Sequence, residues 1–221
     1  MFILLSHIIT EDTPSYMNSG KITITPVKQI KKGDSSNSYV FTMYNHLGTH
    51  VDCPKHFIEE GRSVCDIPLN DFIFEKVNII EIKKDKGELF YKKDLENFHD
   101  IFKRSDFVIF KTGFQIYREK EPMVYMFEGP GFSAEAAEYL TNYNLKGIGF
   151  DFISLSSPLH REEGRKAHKI LLSKGILIVE DMNLANLPKE IKRLFVIPIY
   201  IKGLDSATCT AFAEVTFYLP K

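Results

Sequence analysis

Cysteine is scarce in this sequence, and the three that occur lie far apart. Cys53, Cys65 and Cys209 form neither a CxxC pair nor an even set, which excludes a disulfide framework and suits a reducing compartment. Charge of one sign is equally lacking. Lys and Arg number 28 against 29 Asp and Glu, dispersed rather than blocked, so there is no basic stripe and nucleic acid is not expected as a partner. Long hydrophobic runs are absent too: Phe107 to Phe110 and Ile176 to Val179 are far too short to cross a bilayer, and Met1-Phe2-Ile3-Leu4-Leu5 has no basic flank. Repeats and low-complexity segments are missing. These absences lead to the expectation of a cytoplasmic protein without a membrane partner, a single domain over residues 1–221 with enough chain to bury a sizeable core.

The N-terminal part reads as strands over residues 2–9, 21–27 and 39–43, and a further strand is expected at 77–82. The rhythm then changes. Leu95, Phe98, Ile101 and Phe102 predict a helix over 94–102, followed by a buried strand at 107–110. Ser133 caps a helix to Leu140, residues 147–150 form a strand ending at Asp151, and residues 162–174 form a helix closed by Gly175. A strand at 176–179 then ends at Glu180. Closing strands are expected at 194–201 and 211–219, the last with Ala211, Ala213, Val215, Phe217 and Leu219 on one face. Strands followed by β/α alternation indicate an α/β fold.

Within eleven residues the chain reads His46-Leu47-Gly48-Thr49-His50-Val51-Asp52-Cys53-Pro54-Lys55-His56. His46, His50, Asp52 and His56 occupy even positions only, and in an extended segment they project to one side, with Gly48 between them adding no bulk. A solvated strand face could carry such groups. A buried one without a cation would leave several polar groups unpaired, at roughly 1–3 kcal/mol each. Imidazole suits zinc, copper, iron and nickel, and a carboxylate broadens the choice toward manganese. Two His and one Asp therefore describe a divalent site with open positions for water, which points to hydrolysis. Cys53, at an odd position, should point away from this face as small core filler, although a thiol nucleophile there is an alternative.

Ligands in α/β sheets collect beyond the carboxyl ends of strands, where Asp151 and Glu180 fall. His168 lies twelve residues before Glu180, beside Ala167 and near Leu171 on the buried stripe of its helix. A His and a Glu facing inward could complete a second cation site; equally, the His could be half exposed and the Glu could cap a loop. Phe and Tyr, at 18 and 10 residues, are read as core packing rather than a stacking pocket. Lys111-Thr112-Gly113-Phe114 follows a strand and could face the site, an orientation the sequence leaves open.

The residues from His46 to His56 resemble the cyclase or kynurenine formamidase family of metal-dependent hydrolases, whose hallmark is HxGTHxDxPxH. The resemblance extends over Leu5-Ser6-His7, residues 61–69, 111–114, Gly131-Phe132-Ser133, 147–151, 154–158 and 167–180, which is nearly the whole chain. It implies a compact α/β domain of swivelling β/β/α type, with a mixed, barrel-like sheet flanked by helices. It also implies a homodimer or homotetramer and two divalent metals per chain, zinc or manganese. His46, His50 and Asp52 would hold the first metal, with Asp52 bridging to a second held by His168 and Glu180, and His56 would be the catalytic acid and base. The implied substrate is a small molecule: N-formylkynurenine, cleaved to kynurenine and formate, or a cyclic amide such as isatin. One departure stands out: where the family often carries Pro-Val-Arg after a Gly-Asp turn, this chain reads Gly203-Leu204-Asp205-Ser206-Ala207-Thr208-Cys209-Thr210, and no function is assigned there. A protein whose metal is structural, with no turnover, is the competing class. Structural zinc sites usually have four protein ligands and no open position, unlike this motif.

Overall fold

The computed structural model describes residues 1–216. In chain order its strands are β1 (Phe2–Leu4), β2 (Ile22–Lys28), β3 (Ser38–Met43), β4 (His50–Asp52), β5 (Ile73–Phe74), β6 (Val77–Glu81) and β7 (Leu89–Phe90). They continue as β8 (Phe107–Lys111), β9 (Gly131–Phe132), β10 (Gly147–Phe150), β11 (Leu177–Glu180), β12 (Arg193–Pro198) and β13 (Ser206–Glu214). The helices are α1 (Lys92–Leu95), α2 (His99–Arg104), α3 (Tyr117–Lys120), α4 (Pro122–Phe127), α5 (Ala134–Leu140) and α6 (Arg161–Ser173).

One mixed sheet organises the molecule, in the order β5-β12-β13-β4-β11-β10-β8-β6, with β1 also paired to β13. The run β6-β8-β10-β11 is parallel and the other pairings are antiparallel. The sheet curls into a nearly closed barrel-like form within a single α/β domain. Its parallel strands are apolar on both faces, as strands covered on both sides must be. One face packs under α5 and α6, with Val108, Phe110, Ile148, Phe150 and Ile178 against Ala137, Leu140, Ala167 and Leu171. The other face, with Val51, Cys53, Ile109, Val179, Ala207 and Ala211, fills the second core. The strands β2 and β3 pair only with each other.

The predicted elements recur with shorter or shifted bounds, each for a local reason. The strand expected at 2–9 stops at Leu4, where the chain leaves β13 and Ser6 bridges to Met182 instead, and a turn closes further on with Thr13 N on Thr10 O and Thr10 N on Thr13 Oγ1. The helix expected at 94–102 is two short helices joined by a 3-10 turn at Glu96–Phe98. The strand expected to reach 201 ends at Pro198, which has no N–H for the ladder. The last strand starts at Ser206 rather than 211, and its predicted positions 217–219 lie outside the described residues. Ser133 does cap α5, accepting from Ala136 N at 3.2 Å. Gly175, at φ +74, follows α6 in the left-handed conformation that closes helices.

Candidate metal centre

The motif is not a continuous strand, contrary to the parity argument. Only His50–Asp52 is extended; Gly48 turns at φ +66 before it, and Pro54–His56 forms a 3-10 turn after it. The four even residues still converge, because the bends at either end fold His46 and His56 back toward the strand. Their ring centroids are 4.3 Å apart, and those of His46 and His50 are 5.2 Å apart.

β4 runs between β11 and β13, with Glu180 and Thr208 opposite His50, and Ile178 and Ser206 opposite Asp52. Residues opposite each other share a face, so register alone sets Glu180 beside His50 and Asp52. The intervening Val51 turns into the second core with Cys53. Cys53 is fully buried and burial pushes its thiol pKa up strongly, so the residue is inert core filler as expected.

The contacts form a ring around Asp52. His46 Nδ1 lies 3.1 Å and His50 Nε2 3.6 Å from Asp52 Oδ1, while His168 Nε2 is 3.7 Å from Asp52 Oδ2. Glu180 reaches both sides, with Oε2 3.3 Å from His50 Nε2 and Oε1 3.2 Å from His168 Nε2. Two rings are oriented from behind. His50 Nδ1 is 2.8 Å from Gly48 O and His168 Nδ1 is 2.9 Å from Gly164 O, which assigns the proton to Nδ1 and turns Nε2 inward. Glu180 is braced by Leu155 N at 2.7 Å and Ser154 Oγ at 3.2 Å.

Buried polar groups normally find partners. Here His50 Nε2 and both carboxylate oxygens of Asp52 are buried without a hydrogen-bond partner. Such orphaned nitrogen and oxygen donors fit a divalent cation. Among the described residues three overlapping sets bring one donor atom each within 4.8 Å: His46/His50/Asp52, Asp52/His56/His168 and His46/His56/Asp205. Asp52 belongs to two of them, the arrangement a bridging carboxylate needs. Glu180 belongs to none, and its Oε1 is already engaged by Leu155.

Asp205 is the site residue that sequence reasoning missed. Its Oδ2 lies 2.7 Å from His56 Nδ1 and 3.0 Å from His46 Nε2, and its Oδ1 accepts from Asn45 Nδ2 at 2.9 Å. The segment left without a function thus delivers a carboxylate to the motif, from a turn at Gly203 (φ +89) and across the bond from Cys53 N to Asp205 O. Lys111 to Phe114 does not face this site. Thr112 and Gly113 bind Asp151 instead, on a separate cavity with His7 and Arg118.

Burial opposes charge on His46, His50 and His168, but the carboxylates overturn it. His46, between Asp52 and Asp205, is raised to about 11, and Glu180 and Asp52 raise His50 and His168. Burial likewise opposes charge on Asp52, Glu180 and Asp205, and the histidines hold all three below the ordinary carboxylate range. Above them lies a pocket of about 200 Å³, with His46, His50, His56 and His168 at one end.

A barrel-like sheet carrying a His/Asp cluster at a central strand defines a class of metal-site α/β proteins. The family model described as "Putative cyclase" matches residues 3–157, and the chain belongs to this cyclase family. An uncharacterized Haemophilus influenzae protein is 37% identical over 118 residues, 52% of this chain and 83% of that one. A kynurenine formamidase of Bacillus cereus is 29% identical over 181 residues, 82% of this chain and 81% of the relative. Among solved structures, a potential metal-dependent hydrolase with cyclase activity matches at TM-score 0.77 and 25% identity, over 96% of both chains. Isatin hydrolase A from Labrenzia aggregata matches at TM-score 0.84 and 20% identity, over 98% of this chain and 94% of that one, a likeness of fold.

Proposed function

We propose that this protein is a metal-dependent hydrolase of an amide bond, with N-formylkynurenine as its substrate. The observation that carries this reading is the orphaned donor set of His50 Nε2 and Asp52 Oδ1 and Oδ2, buried beneath a pocket. The likeness to kynurenine formamidases supports the choice of substrate. His46, His50 and Asp52 would hold one cation, and Asp52 with His168 and Glu180 a second, zinc or manganese in each case. When bound, such cations polarise the amide carbonyl and acidify water.

The remaining work falls to the chain. Hydrolysis forms an acyl C–O bond, breaks the C–N bond and requires a proton on the departing nitrogen. With Nδ1 occupied by Asp205, His56 presents Nε2 to the pocket, takes the proton from water there and returns it to the nitrogen. Imidazole does this near neutral pH, typically for about 10²–10⁴-fold in rate. Asp205 fixes the tautomer and orients the ring, as a carboxylate behind a general base does. Phe57 stacks on His168 at 4.8 Å and 19°, an apolar wall that keeps bulk water from the polar floor. The exposed apolar side chains of the β2–β3 arm, among them Val27, Tyr39, Val40 and Phe41, support a homodimer or homotetramer.

The test is metal content per chain together with N-formylkynurenine hydrolysis before and after chelation. Bound metal and chelator-sensitive turnover are expected. A chain that takes up neither zinc nor manganese overturns the reading, and metal without turnover redirects it to other acyl bonds.

A further inference from the structure

Arg161, Arg165 and His168 are spaced i, i+4 and i+7 on α6, which places them on one stripe. All three line the pocket above the metal centre. A close approach aims the stripe. Gly164 packs against Ser156 so tightly that a Cβ there would lie 2.3 Å from Ser156 Cα, and His168 Nδ1 reaches Ser156 Oγ at 3.2 Å. The pocket is also lined by Tyr16 and Tyr44. Tyr16 is delivered by a turn in which Met17 (φ 50) and Asn18 (φ 56) are both left-handed, a conformation that costs energy in non-glycine residues and is concentrated at binding sites.

The Tyr16 hydroxyl lies in the field of both arginines and of Glu180: burial and Glu180 raise its pKa, and Arg161 and Arg165 lower it. The guanidinium groups and the metal centre therefore look onto one space. Arg165 also holds Glu162 at 2.7 Å, an exposed pair of little strength that a bound anion can displace. At 1.5 Å rise per residue, Arg165 stands about 4.5 Å and Arg161 about 10.5 Å along the helix from His168.

We propose that Arg161 and Arg165 bind the carboxylate of a carboxylate-bearing amide substrate, an inference that rests on the amide-hydrolase reading above. The planar guanidinium matches a carboxylate with two parallel hydrogen bonds. A neutral lactam has no use for the pair. The rim of the pocket is thereby cationic above a floor of histidines, which orients such an amide with its carboxylate outward and its carbonyl toward His56.

The experiment compares metal-loaded wild type with the double variant Arg161→Gln/Arg165→Gln on two formamides. N-formylkynurenine carries the carboxylate and an ammonium; N-(2-acetylphenyl)formamide keeps the ketone and the formamide and lacks both charges, of which only the carboxylate can pair with a guanidinium. The double variant is expected to raise KM for N-formylkynurenine by about tenfold or more with kcat nearly unchanged, and to leave kcat/KM for the neutral compound unaltered. Lysine at both positions restores part of the loss. Equal losses on both compounds, or no loss on either, overturn the inference. Should wild type hydrolyse neither compound, the formamidase reading fails alone, and the arginines are judged from calorimetric Kd values of the same two compounds. A preference of about tenfold for the carboxylate, abolished in the double variant, then supports them; equal binding, or binding of neither, overturns them.

Discussion

Two clusters of buried polar groups lie at the carboxyl end of β11, back to back. Glu180 and Asp181 are consecutive residues and point to opposite sides, the second held at φ +51. Asp181 is saturated by protein: Arg118 donates from Nε at 2.9 Å and Nη2 at 3.0 Å, and Tyr125 from its hydroxyl at 2.6 Å. Nearby Asp151 accepts from Thr112 N, Thr112 Oγ1 and Gly113 N, between 2.6 and 2.8 Å. Among the described residues, His7 Nε2 alone is without a partner on that side. Across the strand, Asp52 is just as buried and has no hydrogen-bond donor on either oxygen. A buried carboxylate with a complete set of donors is architecture, whereas one ringed by inward nitrogens and left unbonded has the donor set that could hold a cation.

The sharpest test of this contrast pairs one change in each cluster. His50→Ala is expected to remove metal and turnover together, and to leave the chelated protein folded. Arg118→Ala strands the Asp181 charge and should cost about 3–5 kcal/mol in denaturant unfolding while the folded fraction still binds metal. The comparison breaks if the two results are exchanged.

His56→Ala should lower kcat by about 10²–10⁴-fold with metal content intact. Loss of metal would instead make His56 a ligand, an option its place in two donor sets keeps open. Asp205→Asn keeps the shape and removes the charge behind His56, for an expected loss of about 10–100-fold in kcat, with altered pH dependence of kcat. Proton counting refines the picture. His46, raised to about 11, carries a proton at pH 8, and ligation needs a neutral nitrogen. Metal uptake should therefore release protons into a weak buffer and tighten from pH 6 to 9; pH-independent uptake would exclude His46 as a ligand. The smallest effect is expected at Cys53, where Ala should cost about 1 kcal/mol of stability and leave kcat/KM unchanged, against a thiol nucleophile.

Legibility followed distance along the chain. His46, His50, Asp52 and His56 stand within eleven residues, so the spacing advertises the cluster even though the strand inferred from it is only three residues long. His168 and Glu180 could be placed near the buried stripe of a helix and at a strand end, because 3.6-residue and two-residue periodicities are local properties, but spacing left open whether either faced inward. Asp205 was not readable: it meets His56 across 149 residues, and an aspartate before a strand has no signature of its own. Likewise, nothing local distinguishes Asp181 from Glu180, and only Arg118, 63 residues away, shows which of the two is structural.

By itself, then, the sequence determined the donor chemistry, the alternation of elements and the placing of Cys53 in the core, because each depends on neighbours within a few residues. The tertiary structure decided the order β13-β4-β11, which sets Glu180 opposite His50, the arrival of Asp205, and the Gly164–Ser156 contact that turns the arginines of α6 toward the pocket. Those depend on which strands pair and which surfaces exclude water, and long-range packing settles both only when the whole chain has folded.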